Sequence, residues 1–126
     1  VRKALFVAAQ RTGCNKVALG HHSDDAVQIT LLNLFSGGRV ETLSPKRRFF
    51  GGQFVLIRPM IYVSEKEITR FAQACDFPLI ANRCPHSASS RRVLVRNIIA
   101  TLECEFPSAK TNLLRAGLRG CACTGK

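Results

Sequence analysis

Apolar residues recur along this chain in two rhythms, one of period near 3.6 and one of short continuous runs, and together they predict alternating helices and strands. Residues 2–12 place Leu5, Phe6 and Ala9 at helical spacing and stop at Thr12-Gly13. Lys16-Val17-Ala18-Leu19-Gly20 reads as a short buried strand that ends on glycine. From Ser23 a helix follows: Ser23 caps it, Asp24 and Asp25 suit its positive end, and Val27, Leu31, Leu34 and Phe35 share one face until Ser36-Gly37-Gly38. Residues 39–53 are basic and weakly patterned and predict a loop or small hairpin. Phe54-Val55-Leu56-Ile57 is an apolar strand stopped at Arg58-Pro59.

The second half is more helical. Ser64-x-x-Glu67 is a capping box that opens a helix through about Cys75, with Ile68, Phe71, Ala72 and Cys75 inward. Phe77 to Ile80 reads as extended, and Asn82 to Ser90 as a polar loop. A helix near Arg91–Glu103 carries Val93, Val95, Ile98, Ile99 and Leu102, and Phe106-Pro107-Ser108 breaks it. A last helix covers Ala109 to Ala116, after which Gly117 and Gly120 lead into a tail. The order of elements predicts an α/β fold with C-terminal helices, organised as one domain over 1–118 and a Cys-containing tail over 119–126.

Composition narrows the partner class. The 126 residues are 46% apolar and 21% charged, enough to bury a core, and 19 Lys and Arg against 8 Asp and Glu leave a net charge of +11. That excess suits a polyanion. No apolar run approaches the roughly 18 residues of a membrane span, and Val1 to Arg11 lacks a secretory cleavage signal, so a soluble cytoplasmic protein with no membrane partner is expected. The chain starts without Met, which suggests further residues upstream. Six cysteines at wide, irregular spacing predict reduced thiols, with Cys14, Cys75 and Cys104 packed as small apolar side chains.

Leu19-Gly20-His21-His22-Ser23-Asp24-Asp25 carries the most chemistry, because it joins the carboxyl end of a predicted strand to a helix, where α/β sheets bind ligands. Two histidines and two carboxylates there can hold a divalent ion, bind a ribose or move protons; equally, they can simply cap the helix. In the loop Asn82 to Arg92, Cys84 sits near Arg83, His86, Arg91 and Arg92, a setting that favours thiolate. Lys46, Arg47 and Arg48, with Arg91, Arg92 and Arg96, can track a phosphate backbone. Cys121-Ala122-Cys123 has the spacing of a soft-metal or redox pair.

Ala18-Leu19-Gly20-His21-His22-x-Asp24-Asp25, then Asn33-Leu34-Phe35-x-Gly37-Gly38, Arg58-Pro59-Met60, Phe77-Pro78, Cys84 and Asn112-Leu113-Leu114-Arg115-Ala116 occur in an order that resembles the later part of a PP-loop (N-type) ATP pyrophosphatase. Within that superfamily the pattern is most similar to the tRNA 2-thiocytidine synthetase group. The resemblance implies a partial doubly wound parallel sheet of the adenine nucleotide alpha hydrolase kind. It implies ATP-dependent adenylation of an anticodon-loop cytidine, then sulfur transfer. It also implies Mg2+ and a [4Fe-4S] cluster as cofactors, and as partners tRNA, a sulfur donor such as a cysteine desulfurase, and a second copy in a homodimer. Carried over residue by residue, Gly20, His21, His22, Asp25 and Arg58 would bind the nucleotide. Asp24 and Asp25 would hold magnesium or handle protons, and Cys84 would be both a catalytic residue and one cluster ligand, with a CxxC ahead of this chain supplying two more. The family's Ser-Gly-Gly-x-Asp-Ser stretch is not among residues 1–126, and Gln28 stands where related sequences commonly have Glu. On this reading the chain is a C-terminal portion that lacks the PP-loop and is inactive alone. Three alternatives accompany it: a PP-loop enzyme of 2-thiouridine or lysidine type, a non-catalytic basic nucleic-acid-binding module, and a zinc protein using Cys84, His86, Cys121 and Cys123.

Overall fold

A computed structural model describes residues 2–80 and 90–123. Helix α1 (Arg2–Arg11) ends where Gly13 takes a φ of 71°, which lets the Cys14 N–H reach back to the Ala9 carbonyl at 2.8 Å. It is followed by β1 (Lys16–Ala18), α2 (Ser23–Gly37), β2 (Lys46–Phe49), β3 (Phe54–Ile57), α3 (Glu65–Ala74), α4 (Ser90–Glu105) and α5 (Ala109–Cys123). The sheet has the order β1-β3-β2. β1 runs parallel to β3 with Val17 opposite Leu56, and β2 runs antiparallel with Arg47 opposite Leu56. A 3-10 turn at Phe50–Gly52 joins β2 to β3, so the basic stretch is a hairpin. The α/β class and the C-terminal helices match expectation; this hairpin makes the sheet mixed.

The two sheet faces differ. Register places Val17, Leu56, Phe54 and Phe49 on one face, where the Phe6 ring of α1 meets Phe49 and Phe54 at centroid distances of 5.2 and 5.5 Å. The other face carries Lys16, Ala18, Lys46 and Arg48, all exposed. β1 is therefore not the buried strand expected; α1 packs on one side of it only.

The main core is helical. Val27 and Leu31 of α2 pack with Val95 and Ile99 of α4, and Leu113 and Leu114 of α5 close over them. Each such burial contributes about 1.5–3 kcal/mol. The inward face expected of α2 extends too far: Leu34 and Phe35 are exposed, because the last turn is held by the Gly38 N–H on the Asn33 and Leu34 carbonyls instead of by packing. In α3 the capping box forms as predicted, but Phe71 and Cys75 are exposed and only Ile68 and Ala72 turn inward. Phe77 to Ile80 forms no strand. Cys14, Cys75 and Cys104 are free and exposed instead of packed, each lying at or beyond a helix end, whereas Cys121 is buried.

The largest local difference is at the C-terminal side. Gly117 and Gly120 do not stop the helix; α5 runs through both to Cys123. They are small because α5 crosses the 40–42 segment at contact distance. A Cβ on Gly117 would lie 2.5 Å from Thr30 Oγ1 and 2.8 Å from Thr42 Cβ, and one on Gly120 would overlap the Val40 carbonyl oxygen. The crossing is also bonded. Thr42 N–H donates to the Gly117 carbonyl, Thr42 Oγ1 to the Ala26 carbonyl at 2.6 Å, and the Cys121 thiol to the Thr42 carbonyl at 2.9 Å.

Candidate functional site

Because β1 and β3 are parallel and in register, their carboxyl ends coincide, and the Leu19 N–H extends the pairing to the Ile57 carbonyl at 2.9 Å. The chain leaves β1 through Gly20-His21-His22 and leaves β3 through Arg58-Pro59, so residues 37 positions apart meet: Arg58 Nε donates to His21 Nδ1 at 3.3 Å. Arg58 is only 7% exposed, and its Nη1 donates to the Ser44 carbonyl. Burial, then the neighbouring Arg58 charge, holds the His21 pKa below its usual value. With Nδ1 accepting, the ring proton of neutral His21 resides on Nε2. Arg92, in the first turn of α4, pushes His21 in the same direction. Gly20 leads into this corner, and a Cβ there would make only an ordinary contact with Met60.

His22, not Ser23, caps α2. Its Nδ1 accepts from the Asp25 N–H at 3.4 Å, and Asp25 Oδ2 accepts from the His22 N–H at 3.1 Å. Imidazole thus takes the place of a serine hydroxyl in a capping box. The Ser23 N–H is committed elsewhere, to the Val63 carbonyl at 2.9 Å.

Asp24 is 8% exposed and ties three helices together, α2, α3 and α5. Its Oδ2 accepts from the Glu65 N–H at 2.6 Å, and its Oδ1 pairs with Lys110 Nζ at 2.9 Å; Lys110 also reaches Glu103 at 3.5 Å. Burial by itself would raise the Asp24 pKa, but the Glu65 N–H and the Lys110 ammonium together outweigh it and set the carboxyl below its usual range. A carboxylate that serves Mg2+ keeps an oxygen for the ion. Both Asp24 oxygens are taken, so Asp24 does not fit as a magnesium ligand.

Asp24 and Lys110 also line a groove of about 750 Å3 with Tyr62, Glu65, Arg70 and Leu114. Lys110, Ser44 and Thr42 have no motif around them; only the tertiary contacts reveal their part. The basic residues lie on two elements. Lys46 and Arg48 share the open face of the sheet, Arg47 lies over the Phe49 ring at 5.1 Å, and Arg91, Arg92 and Arg96 are exposed on α4. Cys84 and His86 fall outside the described residues, and Cys121 and Cys123 lie in α5. Among the described residues no helix is long and apolar enough to cross a membrane.

Comparison with known proteins adds what geometry alone does not. A family model described as a PP-loop domain matches residues 2–102. The chain is 41% identical over 117 residues to tRNA-cytidine(32) 2-sulfurtransferase of Geobacter sulfurreducens, a match covering 91% of this chain and 46% of that protein. The protein of the same name from Anaeromyxobacter dehalogenans is 40% identical over 116 residues, covering 91% and 40%. Among solved structures, the U34-tRNA thiolase NcsA from Methanococcus maripaludis with its [4Fe-4S] cluster superposes with a TM-score of 0.77 at 26% identity, covering 94% of this chain and 40% of that one. The chain thus spans less than half the length of these relatives. The domain match also corrects the sequence reading: a PP-loop domain model matches residues 2–102, so the PP-loop domain is present in this chain where it was expected to be lacking.

Proposed function

Because this chain belongs to the PP-loop domain family, we propose that it serves ATP-dependent thiolation of a cytidine in tRNA. The C2 carbonyl oxygen attacks the α-phosphorus of ATP and the bond to the β-phosphate breaks, releasing pyrophosphate. A sulfur nucleophile then forms the C–S bond at C2 as the C–O bond breaks, and AMP leaves with the former C2 oxygen. The observation that carries this reading is the 41% identity to a tRNA-cytidine(32) 2-sulfurtransferase across 91% of the chain.

The corner where β1 and β3 end supports a nucleotide site. Its chemistry is electrostatic: a buried guanidinium and a neutral imidazole offset phosphate charge that shifts in the transition state. Arg58 fixes the His21 tautomer, and the Nε2–H is the proton that His21 offers to a phosphate oxygen. Gly20 and His22 border the nucleotide, while Asp25 positions His22 through the capping box. Asp24 positions α2 against α3 and α5. Lys46, Arg47, Arg48, Arg91, Arg92 and Arg96 meet the tRNA backbone. Cys84 is the proposed iron–sulfur ligand of this chain. The same reading expects a cytoplasmic protein working with a sulfur donor such as a cysteine desulfurase, as a homodimer.

Since the chain spans 46% of the Geobacter sulfurreducens relative, the test is a chimera in which it replaces the matching segment of that protein. Pyrophosphate release should require tRNA with the target cytidine. Release that proceeds equally with uridine at that position would favour a 2-thiouridine enzyme. Binding without any release would favour a non-catalytic RNA-binding module.

A further inference from the structure

Gln28 lies on α2 one turn past Asp24 and is only 7% exposed, yet among the described residues its side-chain amide makes no hydrogen bond. Covering an unpaired amide completely is costly, and the protein does not do so: among the described residues no side-chain nitrogen or oxygen is both covered and unpartnered. Gln28 therefore keeps part of its amide open, and it lines a pocket of about 230 Å3 between α2, α3, α4 and α5.

Other groups in the lining differ in what they leave available. Asp24 and Lys110 are paired with each other, and Glu103 shares Lys110 at 3.5 Å. Ile99, 4% exposed, and Ala100 give an apolar wall from α4. Glu65 opens α3 and brings a carboxylate that no described cation pairs with, while Arg96 brings a guanidinium. Asp24 lies two residues beyond the His22 cap, and Arg96 lies one turn along α4 from Arg92, whose charge acts on His21. The pocket thus adjoins the corner where β1 and β3 end.

Size and chemistry define the occupant. The volume is below the roughly 300–1,000 Å3 of sites for drug-sized ligands, which suits a single ring. An apolar wall beside a polar group suits a flat base read along its edge. The Gln28 amide offers a donor and an acceptor side by side, and the Glu65 carboxylate only accepts. A cytosine edge complements that set, because its N4 amino group has two hydrogens and its N3 accepts. An amide alone can rotate to suit uracil, but a carboxylate repels the uracil O4.

We propose that Gln28 reads the target cytosine, with Nε2 donating to N3, Oε1 accepting one N4 hydrogen and Glu65 accepting the other. The base O2 is left free to attack phosphorus, and Arg96 holds the phosphate of the extruded nucleotide. The proposal rests on the tRNA reading above and names the residue that selects its base.

The test is fluorescence anisotropy of labelled tRNA titrated with the full chain, the target position carrying cytidine, uridine or pyrimidin-2-one riboside, which keeps N3 and O2 but lacks the amino group. Wild type should bind the cytidine form about ten-fold more tightly than either of the others. Gln28→Met should bring cytidine affinity down to the uridine level without lowering Tm, since it breaks no hydrogen bond within the protein. Glu65→Gln should raise uridine affinity, because an amide can donate to O4. Discrimination that survives Gln28→Met, or wild-type binding equal for all three forms, overturns the pocket and leaves the tRNA reading intact. A lowered Tm with equal loss for all three forms would make Gln28 structural and overturn the proposal. No wild-type binding overturns both readings.

Discussion

Replacing Gly120 by alanine sets two well-characterised effects against each other. In a solvent-exposed helix the change stabilises by about 1 kcal/mol, because glycine loses more backbone entropy than alanine on folding. In α5 the added Cβ would occupy the position of the Val40 carbonyl oxygen and lie 3.1 Å from Glu41 Cα. The obstacle is backbone, so no side-chain rotation relieves it; the 40–42 segment must move away from the helix. That movement endangers the Thr42 N–H bond to Gly117 and the Cys121 thiol bond to Thr42, each worth about 1 kcal/mol net. Overpacking of this kind costs about 1–3 kcal/mol, so the expected net change is destabilising by about 1–3 kcal/mol. For a chain of this size that lowers Tm by roughly 3–5 °C per kcal/mol. Thermal unfolding followed by circular dichroism measures it. A rise in Tm of the size that helix propensity predicts would refute the crossing and restore the view that these glycines mark an end.

Other expected outcomes follow from the same contacts. Asp24→Asn removes the carboxylate that holds Glu65 N–H and Lys110, and should cost about 1.5–3 kcal/mol in urea unfolding. Because the native Asp24 pKa is depressed, its contribution is present above the ordinary carboxylate pKa and lost as pH falls through the lower native value. The variant should therefore lose less stability than wild type over that acid range, and an identical acid profile would contradict the assignment. In anaerobically purified chimera, Cys84→Ser should reduce bound iron and the iron–sulfur absorbance; unchanged iron removes Cys84 as a ligand.

Local pattern carried much of this architecture. The Ser64 and Glu67 capping box was legible because both of its members lie within one turn. The strand at Phe54–Ile57 was legible because Pro59 bounds it. What stayed hidden depends on contacts between distant segments. Gly117 and Gly120 read as helix stops because a sequence displays their flexibility and not the carbonyl lying against them. Asp24 read as a candidate for magnesium or for proton handling because spacing cannot reveal Lys110 or the Glu65 amide, the latter 41 positions away. The His21 and Arg58 site was named residue by residue, but their bond is a product of the parallel register of β1 and β3. Exposure of Phe50 had no signal, since an apolar pair beside glycines is as readily core as tip.

The measurement that bears most directly on the account is nucleoside mass spectrometry of tRNA incubated with the chimera, ATP and a sulfur source. The account predicts 2-thiocytidine in amounts comparable to the parent relative, falling about 100-fold in Arg58→Gln while tRNA affinity is retained. Full 2-thiocytidine yield in Arg58→Gln would contradict the site, and no 2-thiocytidine from a folded, tRNA-binding chimera would contradict the function.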